Sequence, residues 1–288
     1  MKSTRLFFLL SFLAFGKLGL AQEAGETKAF ELYGHIMTDV GYNLGQTHPD
    51  WFDVSRPTKL PSYENEFGTD GNVYFSVRQT RFGAKAWFPT SMGELKTQFE
   101  FELFGTGVDA GQTTFRLRHA DAELGKFGVG QTWSPFMDID VFPNTLEYWG
   151  PSGMVFFRNI QIRYMPIQGD SRLTIDLERP GASADQGVYV GRPELANVNN
   201  KFSLPDLSAE YRYAGGFGYV EVAGMLRSIA WEDQGNDPVI DLTDNVLGWG
   251  VNLSSNINFT KSLVGRFQYV IGEGIENYMN DATNDIGI

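Results

Sequence analysis

The sequence predicts an all-β protein that crosses a membrane as an antiparallel β-barrel. Three observations carry that expectation. From Glu31 onward the dominant period is two, which places alternate side chains on opposite faces of a sheet. The connectors alternate short and long, as they do in barrels with tight turns at one end and long loops at the other. And 33 glycines with 14% aromatic residues, against only 42% hydrophobic residues, suit many turns and girdles of rings rather than a soluble α/β core.

In chain order, residues 1–21 come first. Lys2 and Arg5 precede an apolar run from Leu6 to Phe15, and Gly19 and Ala21 give a small-x-small cleavage pattern. This reads as a secretory signal peptide. A membrane anchor is the alternative, but the run is too short to span a bilayer, Lys17 interrupts its tail and polar sequence follows. No later segment is apolar for long enough to form a membrane helix, so membrane residence falls to strands. Residues 22–30 read as a short periplasmic lead-in and 31–288 as the barrel.

The strands justify themselves one by one. "LKTQFEFELF" sets Leu95, Thr97, Phe99, Phe101 and Leu103 against Lys96, Gln98, Glu100 and Glu102. "RLTIDLER" sets Leu173, Ile175 and Leu177 against Arg172, Thr174, Asp176 and Glu178, and "LVGRFQYV" sets Leu263, Phe267, Tyr269 and Ile271 against Arg266 and Gln268. "LSAEYRY" and "GWGVNLSSN" follow the same rule. One face suits hydrocarbon and the other water. Between strands, "PTSMG", "GKFG", "PIQGD", "AGGFG" and "FTKS" are tight, while the stretches after Trp133, from Pro180 to Pro205 and from Glu232 to Asn245 are long. On this reading about eleven strands run from near Leu32 to near Ile271. Trp87, Phe88, Phe127 and Tyr164 sit beside tight turns, where amphipathic rings straddle the headgroup region. A secreted glycan-binding β-sandwich would also alternate, and the connector lengths argue against it.

The chain has no cysteine and a net charge of −12, which excludes a disulfide scaffold and a thiolate metal site and argues against nucleic acid as a partner. His35, His48 and His119 are the only histidines, and none lies in a recognisable nucleophile motif, so the sequence points away from an enzyme. "NDATNDIG" has the acid and amide density of a calcium loop without its twelve-residue register. Neither cofactor nor metal is expected.

Chemistry is concentrated on the polar faces. Arg81, Lys85, Arg116, Arg118, Arg163, Arg212, Arg227 and Arg266 occupy inward positions, a basic ladder inside an acidic chain. Such a ladder would favour small anionic solutes. The plainer account is that these bases pair with Glu100, Glu102, Asp121, Glu123, Asp176 and Glu210 and stiffen the wall. Arg78 and Arg158 share parity with outward residues and are expected at the outer rim or beside a bulge. The segment 134–153 is expected to fold inward and narrow the lumen. Phe136, Phe142, Tyr148 and Trp149 would pack on the inner wall while Asp138, Asp140 and Glu147 face the bases. A loop that only covers the mouth is the alternative.

The stretches "ELYGHIMTDVGYN", "SVRQTRFGAKAW", "FRLRHADAEL", "GVGQTWSPFMD", "RNIQIRYMP" and "GEGIENYMND" resemble the DcaP-type porins, trimeric outer-membrane channels of Gram-negative bacteria, from about Glu31 to the end. "RFGAK" and "GQTWSPF" are shared more loosely by many general porins, so a general diffusion porin without anion preference is the alternative function. The resemblance implies outer-membrane lipid as surroundings, a homotrimer, a barrel of about sixteen strands, uptake of small anions such as dicarboxylates, and basic residues at the constriction. Arg81, Arg116, Arg118 and Arg163 occupy the matching strand motifs. Two features depart from the pattern. Residues 22–29 are too short for the periplasmic helical segment that such proteins often carry, and "NDATNDIGI" ends the chain inside a loop, which implies an incomplete barrel.

Overall fold

The computed structural model describes residues 29–54, 56, 59–151, 153–180, 192–235 and 241–280. The expected signal peptide, most of the lead-in and the "DATNDIG" part of the calcium-like segment lie outside them. Fourteen strands form among the described residues: β1 (Phe30–His35), β2 (Asp39–Asn43), β3 (Asn72–Ser76), β4 (Arg81–Thr90), β5 (Gly93–Glu102), β6 (Arg116–Leu124), β7 (Phe127–Trp133), β8 (Arg158–Ile167), β9 (Arg172–Glu178), β10 (Val198–Lys201), β11 (Asp206–Gly215), β12 (Gly218–Asp233), β13 (Asp244–Asn258) and β14 (Val264–Glu273). No helix among the described residues is long and apolar enough to cross a membrane.

Eleven strands follow one antiparallel path, β1-β4-β5-β6-β7-β8-β9-β11-β12-β13-β14, and β10 pairs the far end of β12. The expected strand number is met along this path. The sequence reading did not distinguish β10 or the separate β2–β3 hairpin, both of which lie inside long connectors. Strands joined by a tight turn pair with each other, and so do strands joined by a long connector, such as β7 and β8. At the β6–β7 turn Leu124 faces Phe127, and Gly125 takes a φ of 60°, the left-handed region that two-residue hairpins require.

Exposure is inverted relative to a soluble protein. Phe99, Ile175, Leu177, Tyr211, Val222, Leu253, Phe267 and Tyr269 are exposed, while Glu102, Asp176, Glu178, Glu210, Glu221 and Asn252 on the opposite face are buried. A β-sandwich would bury the first set. Hydrocarbon outside and a polar interior account for both. The apolar core sits inside the curved sheet: Phe136, Met137, Val155, Ile275 and Tyr278 pack on Ala223 and Met225 of β12.

One irregularity positions the chemistry. Between β5 and β6, Glu100 opposes His119, Phe101 opposes Leu117 and Glu102 opposes Arg116, which leaves Arg118 as an extra residue in a β-bulge. The bulge turns the neighbours Arg118 and His119 to the same face, and both are buried.

Candidate functional site

Glu100 and Glu102 lie two apart on β5 and therefore share its polar face. β4 brings Arg81 opposite Glu102, and β6 brings Arg116 opposite it from the other side. Arg118 Nε donates to Glu100 Oε1 at 2.5 Å, and its Nη1 donates to Glu102 Oε2 at 2.6 Å. Arg81 stands 3.6 Å from each glutamate. Arg116 stands 3.6 Å and Arg158 3.8 Å from Glu102. Four guanidinium groups thus surround two carboxylates. Arg118 and Arg158 side chains are each 5% exposed and Glu102 is fully buried, whereas Arg81 and Arg116 are 31% and 32% exposed. The positive excess reaches water through Arg81 and Arg116.

Tyr148 of the inserted segment covers this group. Its hydroxyl donates to Glu102 Oε1 at 2.8 Å and accepts from Arg116 Nη1 at 3.2 Å, and its ring stacks on Phe104 at 3.7 Å. Burial, with Glu102 beside it, holds the phenol above the ordinary tyrosine range, so it stays a donor.

A second group anchors the same segment to β11, β12, β13 and β14. Asp138 Oδ1 accepts from Arg212 Nη2 at 2.7 Å, and Asp138 Oδ2 accepts from the Tyr219 and Ser254 hydroxyls at 2.7 Å and 2.6 Å. Asp140 Oδ2 accepts from Arg212 Nη1 at 2.6 Å, and Arg212 Nε donates to Glu221 at 2.6 Å. Asn252 donates to the Phe136 carbonyl at 2.8 Å, Asn256 to the Asp140 carbonyl at 2.8 Å, and Arg266 to the carbonyls of Asp140 and Phe142. Gly250 makes room, since a Cβ there would stand 2.7 Å from Phe136 Cζ.

Of the other sequence-predicted residues, Arg163 donates to Asp176 at 3.0 Å and to the Trp133 carbonyl at 2.7 Å. Arg227 is buried against Asp206 at 3.0 Å. Lys85 lies 5.0 Å over the Tyr33 ring. Glu147 accepts from the Trp149 backbone N–H at 2.7 Å, within its own segment. Trp149 packs edge-on to Trp51 at 5.1 Å, with Arg56 stacked 4.3 Å above the Trp149 ring.

Arg78 and Arg158 correct the outer-rim expectation. Arg78 precedes β4 in a turn closed by Thr80 N–H to the Val77 carbonyl, so strand parity does not reach it. It is buried, donating to Asp53 at 2.7 Å and to the Gly105 carbonyl at 2.5 Å. Arg158 opens β8, and its guanidinium lies 5.0 Å over the Trp133 ring on the way to Glu102. Sequence reasoning missed Tyr219, Asn252 and Ser254 as anchors, although their inward parity was available. Tyr278 gave no periodic signal, because it lies in an irregular segment.

The DcaP outer membrane protein family model matches residues 21–286. The chain belongs to that family. Among solved structures, the crystal structure of the outer membrane channel DcaP of Acinetobacter baumannii superposes with a TM-score of 0.71 at 20% identity, covering 92% of this chain and 70% of that one. OmpTdeltaL8, a loop-deletion mutant of the Vibrio cholerae outer membrane protein OmpT, is matched at a TM-score of 0.38 and 12% identity, over 85% of this chain and 82% of that one. No curated protein matches. The family shows the protein to be an outer membrane protein, and the superposition gives it the fold of an outer-membrane channel, the class to which the sequence pointed. The matching family is one of outer membrane proteins, and the matching fold is that of a channel structure.

Proposed function

We propose that this DcaP-family channel admits small anionic solutes, dicarboxylates ahead of monocarboxylates, past a constriction made by the inserted segment and the arginines of β4 and β6. The observation that carries the reading is the imbalance of four guanidinium groups against two carboxylates, with the excess half-exposed on Arg81 and Arg116. Guanidinium offers planar paired donors to carboxylate. Two such groups flanking one buried acid present a pair of shallow sites to the two ends of a dianion, which favours passage over trapping.

Within that ladder the roles divide. Arg118 is committed to Glu100 and Glu102, Arg163 to Asp176, Arg212 to Asp138, Asp140 and Glu221, and Arg227 to Asp206. These pairs favour the second reading, a general diffusion porin whose bases only stiffen the wall. The reading also includes export through the signal peptide and assembly as a homotrimer, which the family resemblance supports and crosslinking of the detergent-extracted protein tests.

Reversal potential in a planar bilayer under a salt gradient separates the two functions. Changing Arg81 and Arg116 to Gln removes two positive charges while Arg118 keeps both glutamates paired. At about 4 Å in water each charge is worth about 1 kcal/mol to a passing anion, so the anion-to-cation permeability ratio should fall by about tenfold or more at low salt. An unchanged ratio at low salt would establish the general porin instead.

A further inference from the structure

We infer that residues 274–280, which follow β14, form a strap that holds the inserted segment in place, with Tyr278 as its positioning residue. The inference rests on the reading that the inserted segment narrows the channel. It adds a second chain segment to that constriction.

The strap leaves the sheet at Gly274 and turns onto the polar face in a single 3-10 turn, Glu276–Tyr278. There it makes a short antiparallel bridge, Val155 opposite Met279. The Phe156 N–H donates to the Tyr278 carbonyl at 2.9 Å and the Asn280 N–H to the Met154 carbonyl at 2.6 Å. The Asn280 side chain also donates to the Trp149 carbonyl. Backbone pairing therefore ties Met154 and Phe156, by which the inserted segment returns to β8, to the strap, and the Asn280 side chain reaches Trp149 within the segment.

Side chains finish the joint. Ile275 and Tyr278 are buried with Phe136, Met137 and Val155. The Tyr278 ring meets Phe157 at 4.5 Å and Phe136 at 6.0 Å. Its hydroxyl donates toward Asp206 at 3.1 Å and Glu178 at 3.3 Å, and Glu178 in turn accepts from Ser134 at 2.6 Å. Tyr278 thus reaches Ser134, where the segment begins, through Glu178, and touches Phe157, between the segment and β8, directly. Arg227 fastens the strap's start, donating to the Gly274 carbonyl at 2.6 Å and to Asn277 at 2.5 Å. This gives Arg227 a use unconnected with solute: it is fully buried beneath the strap.

The chain has no cysteine, so a crosslink is unambiguous. Val155 and Met279 form a pair flanked by, and not sharing, the two backbone hydrogen bonds, a geometry in which side chains approach closely. In the assembled channel, V155C/M279C should form an intramolecular disulfide, and failure to form it overturns the strap. Tyr278→Ala should lose hydrogen-exchange protection across residues 134–157 and make the single-channel current fluctuate. Adding V155C/M279C, oxidised, should restore both, whereas reduction should abolish the rescue. Wild-type protection and a steady current in Tyr278→Ala overturn the proposal. If Tyr278→Ala does not assemble, Tyr278→Phe, which keeps the ring and loses the hydroxyl's bonds to Asp206 and Glu178, takes its place: partial loss of protection across residues 134–157, restored by the oxidised V155C/M279C pair, supports the strap, and wild-type protection overturns it. Deleting 138–149 tests the constriction separately. Unchanged conductance in that deletion, with the crosslink formed, removes the constriction reading and leaves the joint.

Discussion

Asp138→Ala should release the inserted segment from the wall. The carboxylate is fully buried and receives Arg212 Nη2, the Tyr219 hydroxyl, the Ser254 hydroxyl and the Asp140 N–H. Removing one member of a buried ion pair costs about 3–5 kcal/mol when the other is left uncompensated. Arg212 keeps Asp140 and Glu221, each at 2.6 Å, so its share falls below that range. The two hydroxyls lose their acceptor at about 1 kcal/mol apiece. Together these give about 3–4 kcal/mol against docking, which shifts the docked-to-undocked ratio by about a hundredfold to a thousandfold. Hydrogen exchange across residues 134–157 reads this directly, and single-channel recording should show a larger or less steady conductance. Asp138→Asn keeps the shape and one acceptor and should fall between the variant and wild type. If exchange protection in Asp138→Ala equals that of wild type, the three hydrogen bonds from the wall do not hold the segment and the reasoning fails.

Three further perturbations follow from the same geometry. Leu253 lies five residues from the end of β13, about 12 Å above the tight-turn side for a strand tilted by about 45°. Flanked outward by Val222 and Tyr269, its change to Arg should cost about 2–4 kcal/mol in the bilayer midplane. Phe101 lies next to the far end of β5, so Phe101→Arg should cost less; equal folding free energies for the two variants in a lipid titration would contradict the depth assignment. Arg118→Gln should reduce yield of assembled channel, because Glu100 and Glu102 lose their 2.5 Å and 2.6 Å partner. Arg116→Gln, at a half-exposed contact of 3.6 Å, should leave the yield unchanged and act on selectivity alone, and the reverse ranking would refute the division of roles. Finally, β1 and β14 each have one neighbour in the described sheet, leaving unpaired backbone groups at about several kcal/mol each in hydrocarbon. Strands that close those edges should raise the yield of heat-modifiable protein over that of residues 1–288 alone, as judged by gel migration before and after boiling; equal yields would refute this.

The faces of the sheet were legible in the sequence because period-two alternation is a local property, set by backbone geometry and by where hydrocarbon and water lie. "RLTIDLER" is enough to place Ile175 outside and Asp176 inside, and both positions agree. The connector lengths were legible for the same reason, and they gave the path of eleven strands. Partners were not legible. Parity puts Arg212 and Glu221 on one face, but only register makes them neighbours, and only the fold brings Asp138 from more than seventy residues away. Parity also fails where the strand stops, which is why Arg78 and Arg158 turned inward against expectation.

The β6 bulge shows most clearly why a single sequence could not yield the site. Arg116 and Arg118 lie on one parity in "RLRHADAEL", and Asp121 and Glu123 on the other, yet all four belong to the polar face. An unbroken strand cannot satisfy both. One extra residue at Arg118 reconciles them: positions 119, 121 and 123 face inward beyond the bulge, and 116 and 118 face inward before it. The same residue sets the charge balance. With Arg118 drawn into the wall between Glu100 and Glu102, both glutamates are occupied by one base, and Arg81 and Arg116, pressed in from the two neighbouring strands, are left without a carboxylate at hydrogen-bond distance. A local irregularity that costs the sheet one regular pair therefore converts what would be a neutralised ladder into an exposed positive pair, and the case for anion preference depends on that conversion rather than on the number of arginines.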